Sequence, residues 1–186
     1  MKHILLLYLT LLTISVSAQK SNHLIAYNQL KEIEGTPYVL ATFEDWSKKA
    51  VANHHLLFIN TTNHEKIQVE FSKDTHFEKI EHIRLDSLHI NRILVTIRTD
   101  HQENDKKLFD LRDRPRKMVL LSPDGREKIA LSAGSFFVRT WVLNRYVGTL
   151  TITGYYDVNA NGKYDEDDKH DILLFDLKTL KPVPGS

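Results

Sequence analysis

Apolar residues in this chain fall in short runs separated by polar stretches, and Val, Ile, Thr, Phe and Tyr dominate those runs. Such side chains suit a pleated, half-buried surface, so the pattern predicts strands and few helices. The expected strands are residues 24–27, 38–43, 56–60, 66–71, 80–85, 93–98, 107–111, 117–121, 128–131, 137–143, 149–155 and 172–177.

Three of these stretches share a layout. Tyr38 to Thr42 runs on to Asp45, Ile93 to Ile97 runs to Asp100, and Leu150 to Thr153 runs to Asp157, each followed by a polar loop. The loops lead into Leu57-Phe58-Ile59-Asn60, Leu108-Phe109-Asp110-Leu111 and Leu174-Phe175-Asp176-Leu177, which reads as three copies of one hairpin. A strand precedes each copy. The first two copies continue into a further strand, at 67–71 and 118–121, whereas the third stops near Pro182 and Pro184. Units of about four strands in roughly 40 to 50 residues are the signature of propeller blades, whose neighbouring sheets bury each other's faces. The expected class is all-β: antiparallel β-hairpin repeats in a propeller-like partial or incomplete ring, with a β-sandwich or barrel as the alternative.

Ser122-Pro123-Asp124-Gly125, followed by Ile129-Ala130-Leu131, resembles the turn and next strand of the WD40-like repeats in TolB-type β-propellers. The hairpin from Asp157 to Leu177 is similar to blades of exported bacterial proteins that hold an Asp-rich loop between two strands. The resemblance implies about three propeller blades over most of the mature chain. The same four residues also suit an ordinary β-turn, because Pro fixes φ at the second position and Gly tolerates positive φ. Closed propellers typically have at least four blades, so three leave open edges. Bare strands pair readily, and self-association through open sheet edges is expected.

The N-terminus changes where this domain is expected to work. Met1-Lys2-His3 gives a short basic start, residues 4–16 are mostly apolar, and Val16-Ser17-Ala18 suits signal-peptidase cleavage. Residues 1–18 therefore read as a signal peptide and 19–186 as a single β-rich domain, periplasmic or secreted. The apolar run is shorter than the roughly 20 residues of a spanning helix, so no membrane insertion is expected after cleavage. The absence of cysteine excludes an N-terminal lipid at Cys and any disulfide, leaving packing and a bound ion to supply stability. A formal net charge of +1 provides no long-range field for nucleic acid. The basic stretch Arg112, Arg114, Arg116 and Lys117 is broken by Asp113 and Pro115 and reads as a solvated turn.

The strongest chemical signal is the segment from Asp157 to Asp168, which follows an EF-hand loop pattern. Calcium takes six to eight hard oxygen ligands, and a loop with oxygen-bearing side chains at alternate positions gathers them around one point. Asp157, Asn159 and Asn161 stand first, third and fifth, Gly162 sixth at the sharp turn, Lys163 would offer its carbonyl, and Asp165 and Asp168 would complete the shell. The final residue is Asp where a bidentate Glu is usual, which shortens the reach and weakens binding. Strand-like flanks on both sides argue against a helix-opening switch.

Other chemistry has less to stand on. The ten His residues form no zinc motif. Gly134-Ser135-Phe136 is not a nucleophile elbow, and neighbours such as Glu44 and Asp45 on a strand point to opposite faces. Tyr155, Tyr156 and Trp141 read either as packing or as a ligand platform. The expectation is an exported calcium-binding β module with a structural or ligand-binding role, its partner a protein or glycan, and the sequence leaves enzymatic activity open. The alternative is an extracytoplasmic hydrolase acting on glycans or peptides.

Overall fold

Twelve short antiparallel strands make up the computed structural model, which describes residues 27, 29–42, 55–72, 75–99, 115–132, 134–162 and 164–184. β1 (Gln29–Glu32), β2 (Tyr38–Thr42), β3 (His55–Asn60) and β4 (Lys66–Glu70) form a first sheet; β5 (Thr75–Leu85), β6 (Ile90–Thr99), β7 (Arg116–Leu121) and β8 (Lys128–Ala130) form a second. β9 (Phe136–Asn144), β10 (Thr149–Tyr156), β11 (Lys169–Asp176) and β12 (Lys181–Pro182) form a third. Within each sheet every strand pairs antiparallel with its neighbour in sequence. The chain is all-β, no sheet closes into a barrel, and a 3-10 turn at Asp86–Leu88 is the one helical piece among the described residues.

The turns explain why the strands reverse where they do. Asn60, Asn144 and Asp176 end β3, β9 and β11, and each side-chain Oδ1 accepts two backbone N–H groups two and three residues on. Four residues after each stands a residue with positive φ: His64, Gly148 and Leu180. A short Asx side chain replaces the strand's own partners and starts the turn. The β7–β8 turn uses a different device: Ser122 Oγ accepts the Glu127 N–H, and Gly125 reverses the chain at φ +76°. A Cβ at Gly125 would lie 2.5 Å from Phe58 Cδ2, so this turn is pressed against the first sheet.

The second sheet lies between the other two. Ile93, Val95, Ile97, Val119 and Leu121 pack with Leu40, Leu56, Phe58 and Val69 of the first sheet. The intervening Leu94, Met118 and Leu120 pack with Phe136, Val138, Leu150, Ile152 and Phe175 of the third. A strand buried on both faces needs apolar residues at every position, and Met118-Val119-Leu120-Leu121 supplies them.

That requirement corrects the phase of the expected repeat. The third strand of the second unit is β7, paired directly to β6, and not the stretch 107–111, which lies outside the described residues. The third unit also has its fourth strand, β12, although only two residues long. The first described strand is Gln29–Glu32; of the expected stretch 24–27 only Tyr27 is described, outside any strand, and the rest falls outside the described residues. The signal-peptide reading of 1–18 falls outside the described residues.

Candidate metal loop

β10 ends at Tyr156 and β11 begins at Lys169, so the segment from Asp157 to Asp168 is the entire connection between two paired strands. The ladder closes with Tyr156 opposite Lys169, which sets Asp157 and Asp168 side by side at the mouth of the loop. Both are buried, at 5% and 8% exposure, whereas Asn159 and Asn161 are exposed. The Asp157 N–H donates to Ser135 O at 3.1 Å, tying the start of the loop to the segment that leads into β9.

The carboxylates are held by the loop's own amides. Asp157 accepts the Asn161 N–H on Oδ1 at 3.1 Å and the Gly162 N–H on Oδ2 at 2.8 Å. Asp168 accepts the Val158 N–H on Oδ1 at 3.3 Å and the Asp165 N–H on Oδ2 at 2.9 Å. Each carboxylate oxygen has a second lone pair that such a bond leaves free. Gly162 has φ +72°, the left-handed turn that the sixth position demands.

Asp165 is engaged otherwise. Its Oδ2 accepts the Asn159 and Asn161 side-chain amides at 2.9 and 2.5 Å, and its Oδ1 accepts the Asp167 N–H at 3.0 Å. Those side-chain donors hold the Asp165 carboxyl below its usual pKa. For the two Asn residues to serve as ligands, their carboxamides must turn Oδ1 toward the ion and release Asp165 to bind it. Lys163 lies outside the described residues. Among the described residues no three or more His, Asp or Glu side chains are gathered as a ready metal set; the loop would depend equally on amide and carbonyl oxygens. That all-oxygen set is the chemistry a hard cation requires.

Around the loop stand residues whose place there sequence reasoning missed, among them Lys117, which with Arg116 lies half-buried on β7 and not in a solvated turn. Tyr164 packs edge-on against Tyr155, its hydroxyl lies 2.8 Å from His170 Nε2, and the Arg139 guanidinium lies over its ring. Lys117 Nζ donates to Gly134 O and Phe136 O at 2.5 and 2.8 Å and sits 4.2 Å above the Phe137 ring. Burial pulls the Lys117 pKa down, and the negative charge of Asp157 opposes that pull. The second sheet thus supplies a cation near the loop's first acid. Only the folded register brings Lys117 there, so no motif marks it.

The remaining candidates are occupied structurally. Tyr155 is buried, while Tyr156 and Trp141 pack against the junction of the second and third sheets, which removes the aromatic platform. Arg116 leaves the basic stretch to bind Glu78 at 2.8 Å, and Glu78 also binds Arg98 at 2.6 Å. Arg112, Arg114, Glu44 and Asp45 lie outside the described residues. Among the described residues no helix is long and apolar enough to cross a membrane. No family model, curated protein or solved structure matches this chain.

Proposed function

We propose that the chain is an exported β module, its sheets stacked as propeller-type blades, in which calcium pins the β10–β11 hairpin and thereby stabilises a surface that binds a protein or glycan. The observation that carries this reading is that the oxygen-rich loop fills the whole gap between two registered strands with its first and last acids buried side by side. Bringing two buried carboxylates together costs electrostatic energy that a divalent cation offsets. With Asp at the last position and calcium abundant outside the cytosol, a dissociation constant of about 10⁻⁴ to 10⁻³ M is expected. Titration calorimetry tests it: heat of calcium uptake at one site in the native chain, none in Asp157→Ala, and a weaker response to magnesium. Absence of any calcium heat in this range ends the proposal.

A further inference from the structure

The two outer faces of the stack carry the packing pattern of its two buried junctions. The turns after Asn60, Ser122 and Asp176 align the three sheets position by position. Two residues before each turn residue, Leu40 pairs with Phe58, Leu94 with Leu120, and Thr151 with Leu174. The first pair packs onto the second sheet and the second pair onto the third. Their counterparts in the third sheet lie on its outer face, where the neighbouring Ile172 and Val142 are 52% and 62% exposed.

The opposite faces match in the same way. Val39 pairs with Ile59, Ile93 with Leu121, and Leu150 with Phe175. The second pair packs on the first sheet and the third pair on the second, while Val39 and Ile59 lie half-buried on the outer face of the first sheet, clear of the His55 end of that face where Tyr27 packs. Each end of the chain therefore presents one half of the junction that its interior makes twice.

We infer that a second copy of this chain docks head to tail, the outer face of its first sheet covering the outer face of the third. This rests on the blade-like stacking in the proposed function, not on calcium. The occupant follows from continuity: the repeat itself defines what lies on such a face, namely the Val39–Ile59 face of another unit. A terminal sheet that merely caps a repeat stack has a polar outer surface. Here Val142, Ile172 and Leu174 remain apolar at the centre of a face that also carries Asn144, Thr149, Thr151 and Thr153, Thr151 standing where the other two sheets have Leu. A head-to-tail contact is heterologous and must close or grow. Two copies give six sheets, within the four to eight that closed propellers use.

Sedimentation equilibrium of the full mature chain over a wide concentration range tests this, with twice the chain mass expected. A tail-blocked variant, Val142→Lys with Ile172→Lys, and a head-blocked variant, Leu57→Lys, should each sediment as single chains, and their equimolar mixture should recover a dimer through the one junction left intact. Should Leu57→Lys lose its β-sheet circular dichroism, Leu30→Lys replaces it; Leu30 pairs with Ala41 on the same face and is 69% exposed. A native chain that stays single, a tail-blocked variant that stays paired, or a head-blocked variant that pairs on its own would each overturn the inference.

Discussion

The second and third sheets are built on one plan and differ in what surrounds them. Leu120 of the second is 1% exposed between two sheets, whereas its counterpart Leu174 is half-buried on an outer face. The second sheet is held by packing on both sides. The third is packed on one side and carries, at one end of its central strands, a loop whose acids are organised by hydrogen bonds. One architecture thus obtains order from two sources: apolar contact where both faces are covered, and polar organisation where only one is.

The sharpest way to break that comparison is at the matched positions. Leu120→Ala is expected to cost about 2 to 5 kcal/mol in urea unfolding, as buried leucines do, and Leu174→Ala about 1 kcal/mol or less in dilute solution. Equal losses would mean that the outer face is covered as fully as the junction.

Next come two glycines, both at positive φ. Gly125→Ala drives a methyl into the Phe58 ring and should cost about 2 to 4 kcal/mol, strain and overpacking together. Gly134→Ala has nothing within 4 Å and keeps only the conformational strain, about 1 to 2 kcal/mol. Comparable losses would show that the turn's contact with the first sheet contributes nothing.

Calcium should act on the third sheet alone. At about 10 mM, ten to a hundred times the expected dissociation constant, it should add roughly 1.4 to 2.7 kcal/mol to stability, read as a rise in thermal midpoint that chelator reverses and Asp157→Ala abolishes. A rise that survives in Asp157→Ala would place the ion elsewhere.

The smallest effect belongs to Glu78. Burial works against its ionisation, but the hydrogen bonds and charges of Arg98 and Arg116 outweigh it and hold the pKa below the usual glutamate value. A depressed folded pKa contributes stability that is complete above the unfolded value near 4.5 and is lost as pH falls through the lower folded value. Glu78→Gln should therefore lower stability by about 1 kcal/mol or less at neutral pH and flatten that acid limb, measured by urea unfolding between neutral pH and pH 3.

Much of the fold was legible because strand chemistry is local. Residues 38–43, 66–71 and 149–155 were expected as strands and are strands to within a residue or two. The repeat was legible too, but its phase was not. Residues 107–111 and β7 both read as strands, and which of them pairs with β6 depends on a third sheet burying Met118 and Leu120, a fact of tertiary packing. At the loop, the spacing of Asp, Asn and Gly could be read directly. The Lys117 ammonium, the Ser135 carbonyl and the Tyr164 brace could not, since each meets the loop only after sheets are stacked and registered.

Strand pairing strictly between sequence neighbours also shapes how this chain reaches its native state. Each sheet draws all its strands from one continuous stretch of chain, so it can zip up without waiting for the other two, although the β2–β3, β6–β7 and β10–β11 ladders must first close long connections. The slow event is then the docking of preformed sheets. Because the second must receive a neighbour on either side, a copy stalled before docking exposes two greasy surfaces at once, making that half-assembled species the one most prone to clump.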